Sequence, residues 1–275
     1  MPELKVDGAT LHYEVRGTGP VLLLIPGGGG EAAVFDRLAA GLTDRFTVVA
    51  HDPRGHSRSA LEGPVADQRV EEHSEDVHRL IEEVAPDGEP VSVLGASSGA
   101  IVALDLLARH PERLRTVVAH EPQTVGVLPD AERHEALFAR VVAAYRKDGL
   151  GAAMTVMGAG VGAELPATDR ELGEGELPYP PEVMERVMAN MPFFLERELR
   201  QFSAYVPDTA ALAAGPARLV LAGGRDSKEQ TLRRPVEELA RLLGTETVVF
   251  PGGHTGTSSH PAAFARKLVE VLNGR

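Results

Sequence analysis

Short, mostly apolar runs alternate with longer stretches of helical periodicity over the first 120 residues of the chain. The runs occupy residues 21–25, 46–50, 91–94 and 116–119, with a further strand-like segment at 11–15. Runs of four or five apolar residues bounded by Gly or Pro fit strands covered on both faces, as in a parallel sheet. Between them, residues 32–42, 71–84 and 98–109 read as helices. In the last of these, Ile101, Leu104 and Leu107 recur at helical spacing, and Pro111 closes the element. The rhythm changes after Pro122. From 123 to 215 no convincing strand is evident; the stretch is helical in character, with Pro-rich breaks around 177–181. The alternation then returns, with strands at 217–222 and 247–250 and helices at 235–243 and 261–272. The pattern predicts an α/β fold, a mostly parallel sheet flanked by helices. Residues 1–122 and 216–275 would form its core, and 123–215 a helical cap inserted into it.

Composition narrows the function without naming it. The 275 residues are 43% apolar and 25% charged, enough for a sizeable core and ordinary for a globular chain. A formal net charge of −12 with no basic run argues against nucleic-acid and anionic-membrane partners. The absence of cysteine removes disulfides, thiolate nucleophiles and Cys-based metal sites. The opening residues, Met1 to Gly8, lack the basic-then-apolar pattern of a signal peptide, and no apolar stretch approaches the ~20 residues of a membrane helix. A cytoplasmic protein acting on a small molecule is expected.

The candidate chemistry lies at the ends of the apolar runs. Gly95-Ala96-Ser97-Ser98-Gly99 is a G-x-S-x-G sequence between a predicted strand and a predicted helix. A sharp turn there lifts a serine hydroxyl clear of the sheet edge, where the helix N-terminus favours developing negative charge. Pro26-Gly27-Gly28-Gly29-Gly30 follows the 21–25 run. Its backbone N–H groups can approach an oxyanion; without a following Lys-Ser or Lys-Thr it is not a P-loop. Asp226 and His254 lie on loops after the next strands, which gives the chain order Ser, Asp, His. His254 would take the Ser97 proton and Asp226 would orient the imidazole. Glu121, at the end of the 116–119 run, is the rival acid. The other histidines are scattered without metal-ligand spacing, and Arg54 reads as a loop brace.

Taken together, the glycine run at 26–30, the segment Asp52-Pro53-Arg54-Gly55-His56-Ser57-Arg58-Ser59, the 95–99 turn, Asp226 and Gly253-His254 resemble the α/β-hydrolase superfamily over essentially the whole chain. Within it the chain is similar to small capped serine esterases, including methyl esterases of polyketide metabolism. Pro26 and Ser57 depart from the His and Gly that many such proteins carry. The resemblance implies oxyanion-binding N–H groups at Gly28 and Ser98, and a serine hydrolase that needs no cofactor and cleaves a fairly apolar ester, lactone or thioester. Acyltransferase, lyase or peroxide-dependent oxidase chemistry on the same scaffold, or a silent ligand receptor, are the other classes. Met154, Met157, Met184, Met188 and Phe194 are expected to line a substrate pocket; the Met184, Met188, Met191 stripe could equally be core. The acidic run 169–176 is expected to be a solvated loop.

Overall fold

In the computed structural model, which describes residues 2–161, 178–228 and 230–274, the apolar runs become one nine-stranded sheet. The strands are β1 (Glu3–Val6), β2 (Ala9–Arg16), β3 (Val21–Ile25), β4 (Thr47–His51), β5 (Ala60–Leu61), β6 (Val91–Ala96), β7 (Leu114–His120), β8 (Arg218–Gly224) and β9 (Val248–Phe250). Their order is β1-β2-β4-β3-β6-β7-β8-β9, with β5 against β2. From β4 to β9 the neighbours are parallel; β1, β2 and β5 add an antiparallel edge. The predicted α/β class and mostly parallel sheet are therefore borne out. The sequence reading missed β1 and β5. Val6 pairs with Ala9 across Asp7-Gly8, an Asp-Gly hairpin turn with Gly8 at φ 73°, which was a readable signal.

Alternation along each run divides the core into two layers. Leu23, Ile25, Val49, Val93 and Val117 face the helices Val70–Val84 and Ser98–Arg109, meeting Val77, Leu80, Ile101 and Leu104. Leu22, Leu24, Val48, Leu94 and Val118 face the other side, where Phe35, Leu38, Phe264 and Leu268 cover them. A run that looks uniformly apolar thus serves two hydrophobic layers, because successive strand residues point to opposite faces.

Between β7 and β8 every described element is helical. The helices Ala131–Asp148 and Leu150–Val161 share an apolar cluster of their own, in which Leu137, Phe138 and Val141 meet Phe194, Leu195 and Leu199. The helix Pro181–Phe193 contains Pro192, which supplies no N–H to its last turn, and the chain runs on as a π turn over Phe194–Glu198. The acidic run 169–176 lies outside the described residues. Among the described residues no helix is long and apolar enough to cross a membrane.

Leu24 is fully buried in the central strand β3, so Leu24→Ala should lower stability by about 2–5 kcal/mol in urea unfolding. Leu242→Ala, at a 47% exposed position, should change it by no more than about 0.5 kcal/mol.

Candidate active site

Strand β6 ends in a turn at Ser97 (φ 53°, ψ −117°), and the helix Ser98–Arg109 begins one residue later. The turn is tight: a Cβ on Gly99 would lie 2.3 Å from the Ile25 carbonyl oxygen, and one on Gly95 would lie 2.4 Å from that of Gly99. Only glycine fits at either flank. The Ser97 N–H donates to the His120 carbonyl (2.9 Å), which ties the turn to the end of β7. Its hydroxyl lies 3.1 Å from Nε2 of His254.

His254 follows β9, and its Nδ1 lies 2.8 Å from Oε2 of Glu121, immediately beyond β7. Asp226, the residue expected in this place from the sequence, lies elsewhere. The Asp226 carboxylate turns to Arg225, with Nε at 2.8 Å, and its side chain is 25% exposed. Glu121 is fully buried. Its other oxygen accepts from the Gly224 N–H (2.8 Å) and from the Ser227 hydroxyl. Burial opposes ionisation of this carboxyl. The hydrogen bond and charge of His254, with His120 and the Ser227 hydroxyl, outweigh it and hold the pKa at about 2. Ser227, fully buried, went unnoticed in the sequence because nothing about an Asp-Ser pair announces a bond to a residue 106 positions away.

Gly28 and Ser98 both line a cavity of about 560 Å³ that opens onto Ser97 and His254. Ser98 is the first residue of its helix, so its N–H has no partner within the helix. Asp226 contributes to the cavity wall, as do Met154, Met157, Met191 and Phe194 from the helical segment. Met184 and Met188 do not line it; Met188 is 49% exposed. Of the stripe Met184, Met188 and Met191, Met191 alone reaches the cavity. Val183 and Asn190 are the buried residues of this helix, and Arg186 pairs with Glu31 of the core, so the helix is rotated to present these side chains.

Other polar residues brace the loops around the site. Asp52 takes Arg58 Nε (2.8 Å) and the Ala32 N–H (2.9 Å), joining the 52–59 loop to the end of the glycine run. Arg54 grips both oxygens of Asp76 at 2.6 Å. Among the described residues no three His, Asp or Glu side chains are grouped so as to hold a metal ion.

The chain belongs to the alpha/beta hydrolase family, whose model matches residues 22–267. An uncharacterized hydrolase of Bacillus subtilis, YraK, is 35% identical over 273 residues, covering 98% of this chain and 94% of that protein. A zearalenone hydrolase of Bionectria ochroleuca is 29% identical over 276 residues, covering 96% of this chain and 94% of the relative. A thermophilic esterase of Thermogutta terrifontis shares the fold, with a TM-score of 0.73 at 21% identity over 100% of this chain and 99% of its own.

His120 and His51 are buried, which lowers each pKa from 6.5 to about 4. A buried base held neutral contributes stability that is complete above pH 6.5 and is lost as the pH falls from 6.5 towards 4, where the unfolded chain alone takes the proton. The melting temperature should therefore fall across that interval, and His120→Leu should reduce the slope. Thermal melts between pH 7.5 and 4 check both.

Proposed function

We propose that the protein is a serine hydrolase that cleaves a carboxylic ester, lactone or thioester of a fairly apolar small molecule, with Ser97, His254 and Glu121 as its triad. The observation that carries this reading is the hydrogen-bond chain Ser97–His254–Glu121, whose first two members line the 560 Å³ cavity. The chain's similarity to a zearalenone hydrolase and, in fold, to a thermophilic esterase is in keeping with it.

The geometry suits acyl transfer to serine. As Ser97 Oγ bonds to the substrate carbonyl carbon, its proton passes to His254 Nε2. Glu121 holds the Nδ1–H and stabilises the cation that forms. The carbonyl oxygen gains the charge, and the N–H groups of Gly28 and Ser98 receive it. The bond from carbon to the leaving oxygen or sulfur then breaks, and His254 returns the proton to it. A water molecule repeats the sequence on the acyl-Ser97 ester, releasing the acid and the serine. No cofactor enters this scheme. Residues 123–215 act as a cap, whose Met154, Met157 and Phe194 supply an adaptable apolar wall.

A fluorophosphonate should add one label per chain, on Ser97, and Ser97→Ala should take none and lose kcat by several orders of magnitude. Glu121→Gln should lower kcat by about 10³- to 10⁴-fold, and Asp226→Asn by less than about tenfold. The reverse ranking would return the acid role to Asp226.

Met157→Ala and Phe194→Ala should change kcat/KM unequally across esters of different bulk, by about 1–3 kcal/mol of discrimination. Met188→Ala should shift all esters alike and little. Equal losses from Met157→Ala across the whole ester series would remove the cap from substrate selection.

A further inference from the structure

The glycine run at 27–30 has no side chains with which to fix its own geometry, yet the proposed chemistry needs the Gly28 N–H aimed within a narrow cone. The run closes as a turn in which the Gly30 N–H donates to the Gly27 carbonyl (2.9 Å) and Gly29 sits at φ 73°, the left-handed conformation such a turn requires at its third residue. In a planar trans peptide the C=O of one residue and the N–H of the next point in opposite directions. The direction of the Gly28 N–H is therefore set by whatever holds the Gly27 carbonyl, which is the Gly30 N–H. The direction of the Gly30 N–H is in turn set by whatever holds the Gly29 carbonyl.

That partner is Asn190, from the last turn of the helix Pro181–Phe193. Its Nδ2 donates to the Gly29 carbonyl at 3.0 Å and to the Ser57 hydroxyl at 2.9 Å, and its Oδ1 accepts the Ser57 N–H at 2.8 Å. The Ser57 N–H can only donate, so it fixes which end of the amide is oxygen and turns the NH₂ towards Gly29. The residue is 5% exposed, so these bonds do not compete with bulk water. One turn earlier, Arg186 forms a two-point pair with the fully buried Glu31, at 2.7 and 2.6 Å, and fixes the helix against the far end of the same loop.

We propose that Asn190 is a positioning residue for the oxyanion site: it aims the Gly28 N–H through two peptide groups, by the relay Asn190 Nδ2–H to Gly29 C=O, then Gly30 N–H to Gly27 C=O. Hydrogen bonds in such a series polarise one another, so the relay strengthens the terminal donor as well as directing it. This rests on the reading of Gly28 as an oxyanion donor and assigns its control to the helical segment. A residue that merely fastened the helix would alter cavity shape and hence substrate binding. A relay acts on the charge that develops on the substrate oxygen, and so on kcat.

Asn190→Asp keeps the size and the acceptor for Ser57 but loses the donor to Gly29. It should lower kcat about 10- to 100-fold, a fraction of the effect of losing an oxyanion donor outright, with KM within about twofold. The exposed-face control Glu185→Gln should change neither. In glycine-labelled protein without substrate, the Gly28 amide proton resonance should move in N190D and stay in place in E185Q. Should N190D fail to fold, Ser57→Ala, which removes one bond that orients the amide, is read for the same two changes at smaller size. A Gly28 resonance unmoved by the substitution, or a loss carried by KM at constant kcat, would overturn the relay. A wild-type protein that takes no fluorophosphonate on Ser97 would overturn the hydrolase reading instead, and the Gly28 resonance would still decide the coupling.

Discussion

A carboxylate shut away from water must find its compensation inside the protein, and at Glu121 that requirement organises the end of the sheet. The side chain has no exposure, yet its pKa is held at about 2. One oxygen takes the Gly224 N–H at the end of β8 and the Ser227 hydroxyl just beyond; the other takes His254 from the loop after β9. Its own N–H donates to the Ala222 carbonyl of β8. A single residue thus joins the ends of β7, β8 and β9. Through the bond from the Ser97 N–H to the His120 carbonyl, β6 is joined to the same set. Each of these donors is needed, because an ionised group buried without them would give up its charge.

This joining is obtained at the expense of backbone strain. Ser97 and Glu121 both sit at positive φ, 53° and 46°, on adjacent strands. A side-chain-bearing residue in that region costs on the order of 1–3 kcal/mol, and it persists only where the surroundings over-determine it. Here the surroundings are the hydrogen bonds just described. The strain turns each chain end out of the sheet so that the serine and the carboxylate approach one imidazole from its two sides. An acid after β8 would be the expected partner by chain order. Asp226 instead stands beside Arg225, and the loop that carries it supplies its backbone and Ser227 to Glu121.

The strands were legible because their signal is local: a buried parallel strand is apolar nearly throughout, as residues 21–25 are and as 91–94 are apart from Ser92. The placing of Ser97 and His254 just beyond strand ends was legible because glycines stand beside both, Gly95 and Gly99 at one and Gly253 at the other. The nearness of Glu121 to His254 was not legible because the conformation that brings them together is a positive φ at a glutamate, for which sequence carries no mark. Two of the three methionines in the 184–191 stripe, Met184 and Met188, lie away from the cavity for a related reason. Hydrophobic periodicity finds the face of a helix that avoids water. The face of the helix Pro181–Phe193 turned to the core carries Asn190 and Arg186, because the loop it meets presents backbone carbonyls and a buried carboxylate rather than side-chain carbon. A glycine-rich loop exposes polar backbone, and the surface that covers it has to be polar in the same places.

That polar face divides the helical segment into two unequal parts. At the 181–193 helix the segment is held by a buried amide with three hydrogen bonds and by the two-point pair of Arg186 with Glu31. Any displacement there breaks several buried bonds at once. The helix Leu150–Val161, on the other wall of the cavity, buries only Ala153 and Val161 and leaves Met154 47% exposed. Local opening is cheapest where the fewest buried contacts are lost. The 181–193 helix is therefore the firmly held wall of the cavity, and Leu150–Val161 the loosely held one. The difference lies in the polar side chains: Asn190 and Arg186 tie the 181–193 helix to the glycine loop through buried hydrogen bonds, whereas Leu150–Val161 carries no charged or amide side chain with which to do the same.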